Sequence, residues 1–375
     1  MTGFTAWPVP ALEPSGLFPM APGEMSIIVP SSGVIELQSY LTPVDGVTID
    51  ISPGAIGNNP LGSNAGTGHA VNPVTGQPYA PNVVPRGDFG RVLAEFFADG
   101  PNSETPPGHW NVIANDASDR MTEHRIGGAG PVVDRLEWDA KLYLALNGAV
   151  HDAAITAWGL KRKYDSVRPI SMIRYMGGIG QSSDPSGPAY QPQGLPLQPG
   201  LIEVITPATT APGQRHAALA GHEGEIAVLG WPGQPASPAT QVSGVHWIRA
   251  VGWVPYQKNT FVTPAFPGFT SGHSTFSRAA AEVLAHFTGS VFEPGGLGEF
   301  HAAAHQYLTF EDGPSVDVTL QWATYYDAAD LAGQSRIWGG IHVTADDFNG
   351  RITGSQVGIA AFDRATSYFA GTVGP

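Results

Sequence analysis

Apolar positions follow two different rhythms along the chain. In RGDFGRVLAEFFADG (86–100), Phe89, Val92, Leu93, Phe96 and Phe97 recur at spacings of three and four. That is the signature of a helix with one buried face. A longer helix is predicted from Val132 to Tyr164, closing on the basic run KRK. A short one is predicted in RHAALAGHEGEIAVLG (215–230). Three more follow over 271–287, 315–338 and 344–370, the last opening at a Thr344 cap with Asp347 at its third position. Residues 1–85 differ. Short β-like runs at 25–29 and 33–37 lie among turn signals such as NNPLG (58–62). They read as an irregular N-terminal arm with no core of its own. The pattern predicts an all-α helix bundle of five or six helices with long Gly/Pro-rich loops: an arm over 1–85, then a helical domain over 86–375 carrying a loop-rich insertion at about 177–260.

Composition narrows the partners. Of 375 residues, 42 % are apolar and 13 % charged, with 48 Gly and 34 Pro, which fits a globular protein with ordered loops. The net charge of −14 argues against nucleic acid as a partner. With no cysteine, disulfides, thiolate metal sites and thiol nucleophiles are excluded. No apolar run is long enough to span a membrane, and the first residues, MTGFTAWPVPALEPSG, do not resemble a signal peptide. Localisation stays open, with a soluble protein in a secreted or periplasmic place favoured.

In so acidic a chain, clustered basic residues call for an explanation. KRKYDSVRP (161–169) sets Lys161 and Arg168 seven apart, two helical turns, before a proline that disfavours helix at Arg168. FPGFTSGHSTFSRAAAE (266–282) puts Ser271, Gly272 and His273 where a helix begins, and free amides at a helix start bind anions. In SRIWGGIHVTAD (335–346), Arg336 and His342 are six apart. Gly339 and Gly340 break the helix between them, so both can turn inward. Asp346, one turn past His342, is placed to hold the second ring nitrogen. Taken singly, each cluster also reads as ordinary structure: a basic helix end, a serine cap, a polar turn.

Taken together, Lys-x6-Arg-Pro, Ser-Gly-His and Ser-Arg-x5-His-x3-Asp in this order resemble the superfamily of vanadium-dependent haloperoxidases and type 2 phosphatidic-acid-phosphatase-like phosphatases. The resemblance covers about residues 86–365. It implies a vanadate cofactor bonded through a ring nitrogen of His342, with Lys161, Arg168, Arg336, Ser271 and the Gly272 amide on its oxygens. It implies His273 as the acid–base histidine, Lys161 as the group that polarises peroxide, and Asp99, in ADGPNSETPPGHWN (98–111), as the partner of Arg336. Trp158 and Phe266 resemble the aromatic residues lining the halide side in fungal chloroperoxidases, and also read as core aromatics. The implied activity is oxidation of halide by hydrogen peroxide to hypohalous acid, which halogenates small organic compounds. A soluble acid-phosphatase-like hydrolase of phosphomonoesters, with a histidine nucleophile, is the alternative. Familiar family members carry two four-helix bundles where this chain has about one, so a homo-oligomer or a missing N-terminal bundle is expected.

Other patterns carry less. HAAAH (301–305) and HEGE (222–225) lack the zinc-protease glutamate spacing. Glu311, Asp312 and Asp317 are candidates for a structural calcium site. Asp327 and Asp330 read as helix-surface residues or network partners.

Overall fold

The computed structural model describes residues 28–98, 104–261 and 263–372. In chain order the elements are α1 (Ile28–Gln38), β1 (Thr48–Asp50), β2 (Val83–Pro85), α2 (Arg86–Phe96), α3 (Pro106–Arg120), α4 (Arg135–Tyr164), α5 (Pro169–Ile179), β3 (Ile202–Val204), the one-turn α6 (Pro207–Thr210), β4 (Ile226–Gly230), β5 (His246–Arg249), α7 (Gly272–Thr288), β6 (Gly298–Ala302), β7 (Val318–Trp322), α8 (Tyr325–Trp338) and α9 (Thr344–Phe369). Among the described residues the regular structure is mostly helical, with three small antiparallel sheets.

Helix α7 is the axis of the bundle. Its sequence, GHSTFSRAAAEVLAHFT, is small or apolar on nearly every side, and every residue but His286 is buried. A helix apolar all round belongs inside, and α3, α4, α8 and α9 surround it. The tightest pairing is with α9. Along α9, Gly350, Gly354 and Gly358 lie directly on the α7 backbone: a Cβ at Gly354 would sit 2.4 Å from the Thr275 carbonyl, and one at Gly358 2.5 Å from that of Ala279.

Helix starts follow their capping residues. Asp134 Oδ1 accepts from the Glu137 amide at α4, and Thr324 with Asp327 forms a reciprocal box at α8. The α8–α9 turn needs glycine, because Gly340 has φ 76° and sits against Trp253 and Pro255.

Several expectations need correction. The β-like run at 33–37 lies in helix α1, because its apolar side chains, Val34 and Ile35, are buried in a core shared with α5 and the β3–β4–β5 sheet; residues 25–27 of the neighbouring run lie outside the described residues. The segment 215–230 forms a 3-10 turn at Ala217–Leu219 and then strand β4, which pairs on both edges. Residues 318–322 form β7, and α8 begins only at Tyr325. The cap of α9 is Val343, not Thr344, with Asp346 taking the Val343 amide. Helices α3 and α5 were not anticipated.

The described residues of the arm pack on the rest of the chain. Leu41, Ile51 and Val84 join the main core. The Asn58 amide and His69 Nε2 reach Asp327 at 2.7 and 2.8 Å, and Asn59 donates to Asp330 at 2.9 Å. Both aspartates are therefore buried network partners.

Candidate active site

Three stretches meet at one end of α7: the last turn of α4 with the link to α5, the loop leading into α7, and the α8–α9 turn. Lys161 Nζ donates to the carbonyls of Pro267 and Gly268 at 2.8 and 2.9 Å. Arg168 donates through Nε to Phe266 O, and through Nη1 to Ile341 O and His342 Nε2 at 3.0 Å. Pro169 does not simply end a helix here. It is the first residue of α5, which leaves Arg168 in extended backbone with its side chain turned to the turn at Ile341. The start of α7 is tied to the start of α9 by a 3.0 Å bond from the Ser271 amide to the Asp346 carbonyl.

These contacts fix the state of His342. An arginine can only donate, so His342 Nε2 accepts and carries a lone pair. The ring proton is then on Nδ1, which donates to Asp346 Oδ2 at 2.9 Å. Burial, reinforced by Arg168, Lys161, His273 and Arg336, holds this imidazole well below its ordinary pKa, so it is neutral at pH 7. Burial pushes the Asp346 carboxyl up to about 7, against the pull of Lys161 and Arg168.

The cations are buried as well. Lys161 is 2 % exposed, Arg336 3 % and Arg168 6 %. Burial, and then the charge of Arg168, brings Lys161 down to about 7, and burial lowers Arg168 to about 10. Arg336 is aimed by Ser335 Oγ and the Ala94 carbonyl, and its charge acts on both His342 and His273. The charge of Asp346 partly offsets the repulsion between Lys161 and Arg168.

His273 presents one free nitrogen. Nε2 lies 2.7 Å from the Phe97 carbonyl and must donate to it, which leaves Nδ1 with its lone pair. Burial and the Arg336 charge hold its pKa well below the usual value. Ser271 caps α7, accepting the Ser274 amide at 3.3 Å while keeping its own hydroxyl proton to give. The amides of Gly272 and His273 precede the hydrogen-bond ladder of the helix.

Trp158 and Phe266 sit together at the rim, ring centroids 5.2 Å apart, both more than a third exposed. They are therefore not core aromatics. Lys161 Nζ lies 5.7 and 5.3 Å from their ring centres. Asp99 lies outside the described residues.

The donor set suits an oxyanion. It offers three cations, an imidazole lone pair, a hydroxyl and helix-start amides, and Asp346, the acid there among the described residues, is held on His342. The proposed calcium ligands do not converge. Glu311 is held by Arg91, Trp231 and Ser243, Asp312 by His305, and Asp317 by the Ala304 amide. Among the described residues no three acids or histidines group as metal ligands, and no helix is long and apolar enough to cross a membrane.

Sequence reasoning missed the carbonyls that aim the cations, since main-chain acceptors leave no mark in residue identity. It also passed over His109 in the PPGHW run. This residue is buried against Phe96 and Phe97, with Nε2 unpartnered, and its charge state couples to Arg336.

Residues 141–196 and 218–371, more than half of the chain, match the family described as the VCPO second helical-bundle domain. No curated protein matches the chain by sequence. Among solved structures, the apo form of a bacterial vanadium-dependent chloroperoxidase superposes with a TM-score of 0.52 at 19 % identity, covering 76 % of this chain and 46 % of that one. The holo form of a bacterial vanadium-dependent chloroperoxidase gives 0.49 at 19 %, over 74 % and 44 %. The first of these likenesses establishes the fold. This chain spans less than half the length of those proteins.

Proposed function

Because the chain belongs to the family of the VCPO second helical-bundle domain, we propose that it is a vanadate-dependent haloperoxidase, using hydrogen peroxide to oxidise halide for halogenation of small organic compounds. One observation carries the reading: a neutral imidazole lone pair at His342 Nε2 faces buried Arg168, with Lys161 and Arg336 close enough for their charges to act on the same ring.

The residues present fit vanadate. His342 Nε2 is the atom to bond it. Lys161, Arg168 and Arg336 would hold its oxygens, with the Ser271 hydroxyl and the Gly272 amide. Each charge-assisted bond contributes about 1.5–3 kcal/mol. When bound, vanadate supplies Lewis acidity towards peroxide. The protein contributes the rest. Asp346 keeps the proton on Nδ1 and the ring in position. His273, neutral and held by Phe97, is a base able to take a proton from peroxide at Nδ1. The exposed Trp158–Phe266 pair offers halide an apolar approach beside the Lys161 ammonium, which favours the peroxidase over the phosphatase reading.

The test is reconstitution with orthovanadate, then peroxide with bromide or chloride and a dione probe. Halogenation that vanishes in His342→Ala is the expected result. Hydrolysis of a chromogenic phosphate ester, inhibited by vanadate and without halogenation, would replace this function with that of an acid phosphatase.

A further inference from the structure

The C-terminal end of α2 anchors three side chains that carry or accept protons. Arg336 donates to the Ala94 carbonyl, His273 Nε2 donates to that of Phe97, and the Phe96 carbonyl favours a proton on His109. His109 comes from the start of α3. Its ring centre lies 4.9 Å from that of Phe96 and 5.3 Å from that of Phe97, and 4 % of the residue is exposed. Nδ1 lies 3.9 Å from Oε2 of Glu104, whose side chain is half in solvent. Nε2 is buried, with no hydrogen-bond partner among the described residues. With the ring proton on Nδ1, towards the Phe96 carbonyl and Glu104, Nε2 keeps its lone pair. A buried acceptor left unpaired is costly and calls for an explanation. None of the bonds that hold the fold together uses this one.

We propose that His109 Nε2 stores a proton for the pocket, taking the one that His273 removes from peroxide and giving it back to the hypohalite. The inference rests on the haloperoxidase reading, and His109 acts through His273. Phe97 touches both histidines, with its ring on one and its carbonyl on the other. The peroxide O–H bond breaks and its proton arrives at His273 Nδ1. The ring then carries a proton on each nitrogen and is neutral again once it passes one to His109 Nε2. Halide, oxidised by two electrons as the peroxide O–O bond breaks, becomes hypohalite and needs a proton to leave as hypohalous acid. The stored proton returns by the same route, so the Nδ1 proton of His109 never has to move. Of the two rings His109 is the better resting place. Burial lowers its pKa, Glu104 raises it, Arg336 lowers it and the Phe96 carbonyl raises it, whereas burial and then Arg336 hold His273 well below its ordinary value. An oxyanion paired with Arg336 removes part of the charge that opposes protonation of His109, so a loaded pocket has the stronger base.

Two experiments test this. In the first, the side-chain nitrogens of His109 are followed by NMR through a pH titration, with and without saturating inorganic phosphate. Phosphate should move the half-protonation of His109 to higher pH, with Nε2 the nitrogen that gains the proton, and leave exposed His151 unchanged. The second uses the vanadate-loaded chain. His109→Gln keeps a hydrogen-bonding side chain but cannot store a proton. It should melt with the unaltered protein yet lower kcat by about 100-fold, the lower end of what a positioned acid–base group contributes, with KM for halide unchanged. In His109→Ala, added imidazole should restore turnover, while pyrrole, a ring of the same size without a free lone pair, should not. No phosphate-dependent shift at His109, full kcat in His109→Gln, or equal rescue by pyrrole would each overturn the proposal. If the unaltered chain does not halogenate at all, the haloperoxidase reading falls by itself, and with it the proton store, whatever the phosphate titration shows.

Discussion

At the scale of single residues, the site depends on where two protons sit. Asp346 holds the His342 tautomer, so Asp346→Asn should weaken oxyanion binding by about 10–100-fold, read as the vanadate concentration needed for half-activation, with little change in melting temperature. Lys161 sets the pH dependence. With the Lys161 pKa near 7, an arriving oxyanion favours the protonated form and raises that pKa. Binding then takes up a proton above pH 7. Affinity for orthovanadate or inorganic phosphate should be fullest below pH 7 and fall as pH rises, by up to about tenfold per unit. Isothermal titration in buffers of different ionisation enthalpy would detect the proton uptake. The residues proposed to hold the anion were legible in the sequence because three short motifs carry them. Pro267, Gly268, Ile341 and Phe97 were not, because their contribution is a carbonyl that any residue supplies.

At the scale of elements, the long helices α4, α7 and α9 were legible from spacing alone, since each repeats its pattern over several turns. Helix α1 was misread because β-branched residues in a short run look the same in a strand, and its burial is decided by α5 and β4 far along the chain. Helix α3 was hidden by a polar sequence, PPGHWNVIANDASDR, that buries only a narrow stripe. The glycine ridge of α9 went unread, yet it governs the closest helix pair. Gly354→Ala would drive a methyl into the Thr275 carbonyl. Such overpacking should cost about 1–3 kcal/mol in urea unfolding. Activity should fall further than stability alone explains, because Ser271 and Gly272 open α7 while His342 lies two residues before α9.

At the scale of the whole molecule, one buried cation joins regions distant in sequence. Arg351 pairs with Asp347 and Asp330 and donates to the Ser63 carbonyl of the arm at 3.0 Å, while Ser274 Oγ reaches Asp347 at 2.7 Å. Arg351→Met would leave two buried carboxylates without their cation. The expected loss is about 3–5 kcal/mol at pH 7, shrinking as pH falls because the Asp330 carboxyl, already raised to about 6 by burial, then takes up a proton. Urea titrations at pH 5 and pH 7 would measure the difference. Removing the arm should be equally damaging, since it supplies both core side chains and partners to this network.

The bond between the Ser271 amide and the Asp346 carbonyl joins the two halves of the proposed anion pocket across the chain. Its hydrogen can exchange with deuterated solvent only when α7 and α9 part, so a single amide times the opening of the pocket. Saturating oxyanion should slow that exchange, even before any turnover is observed.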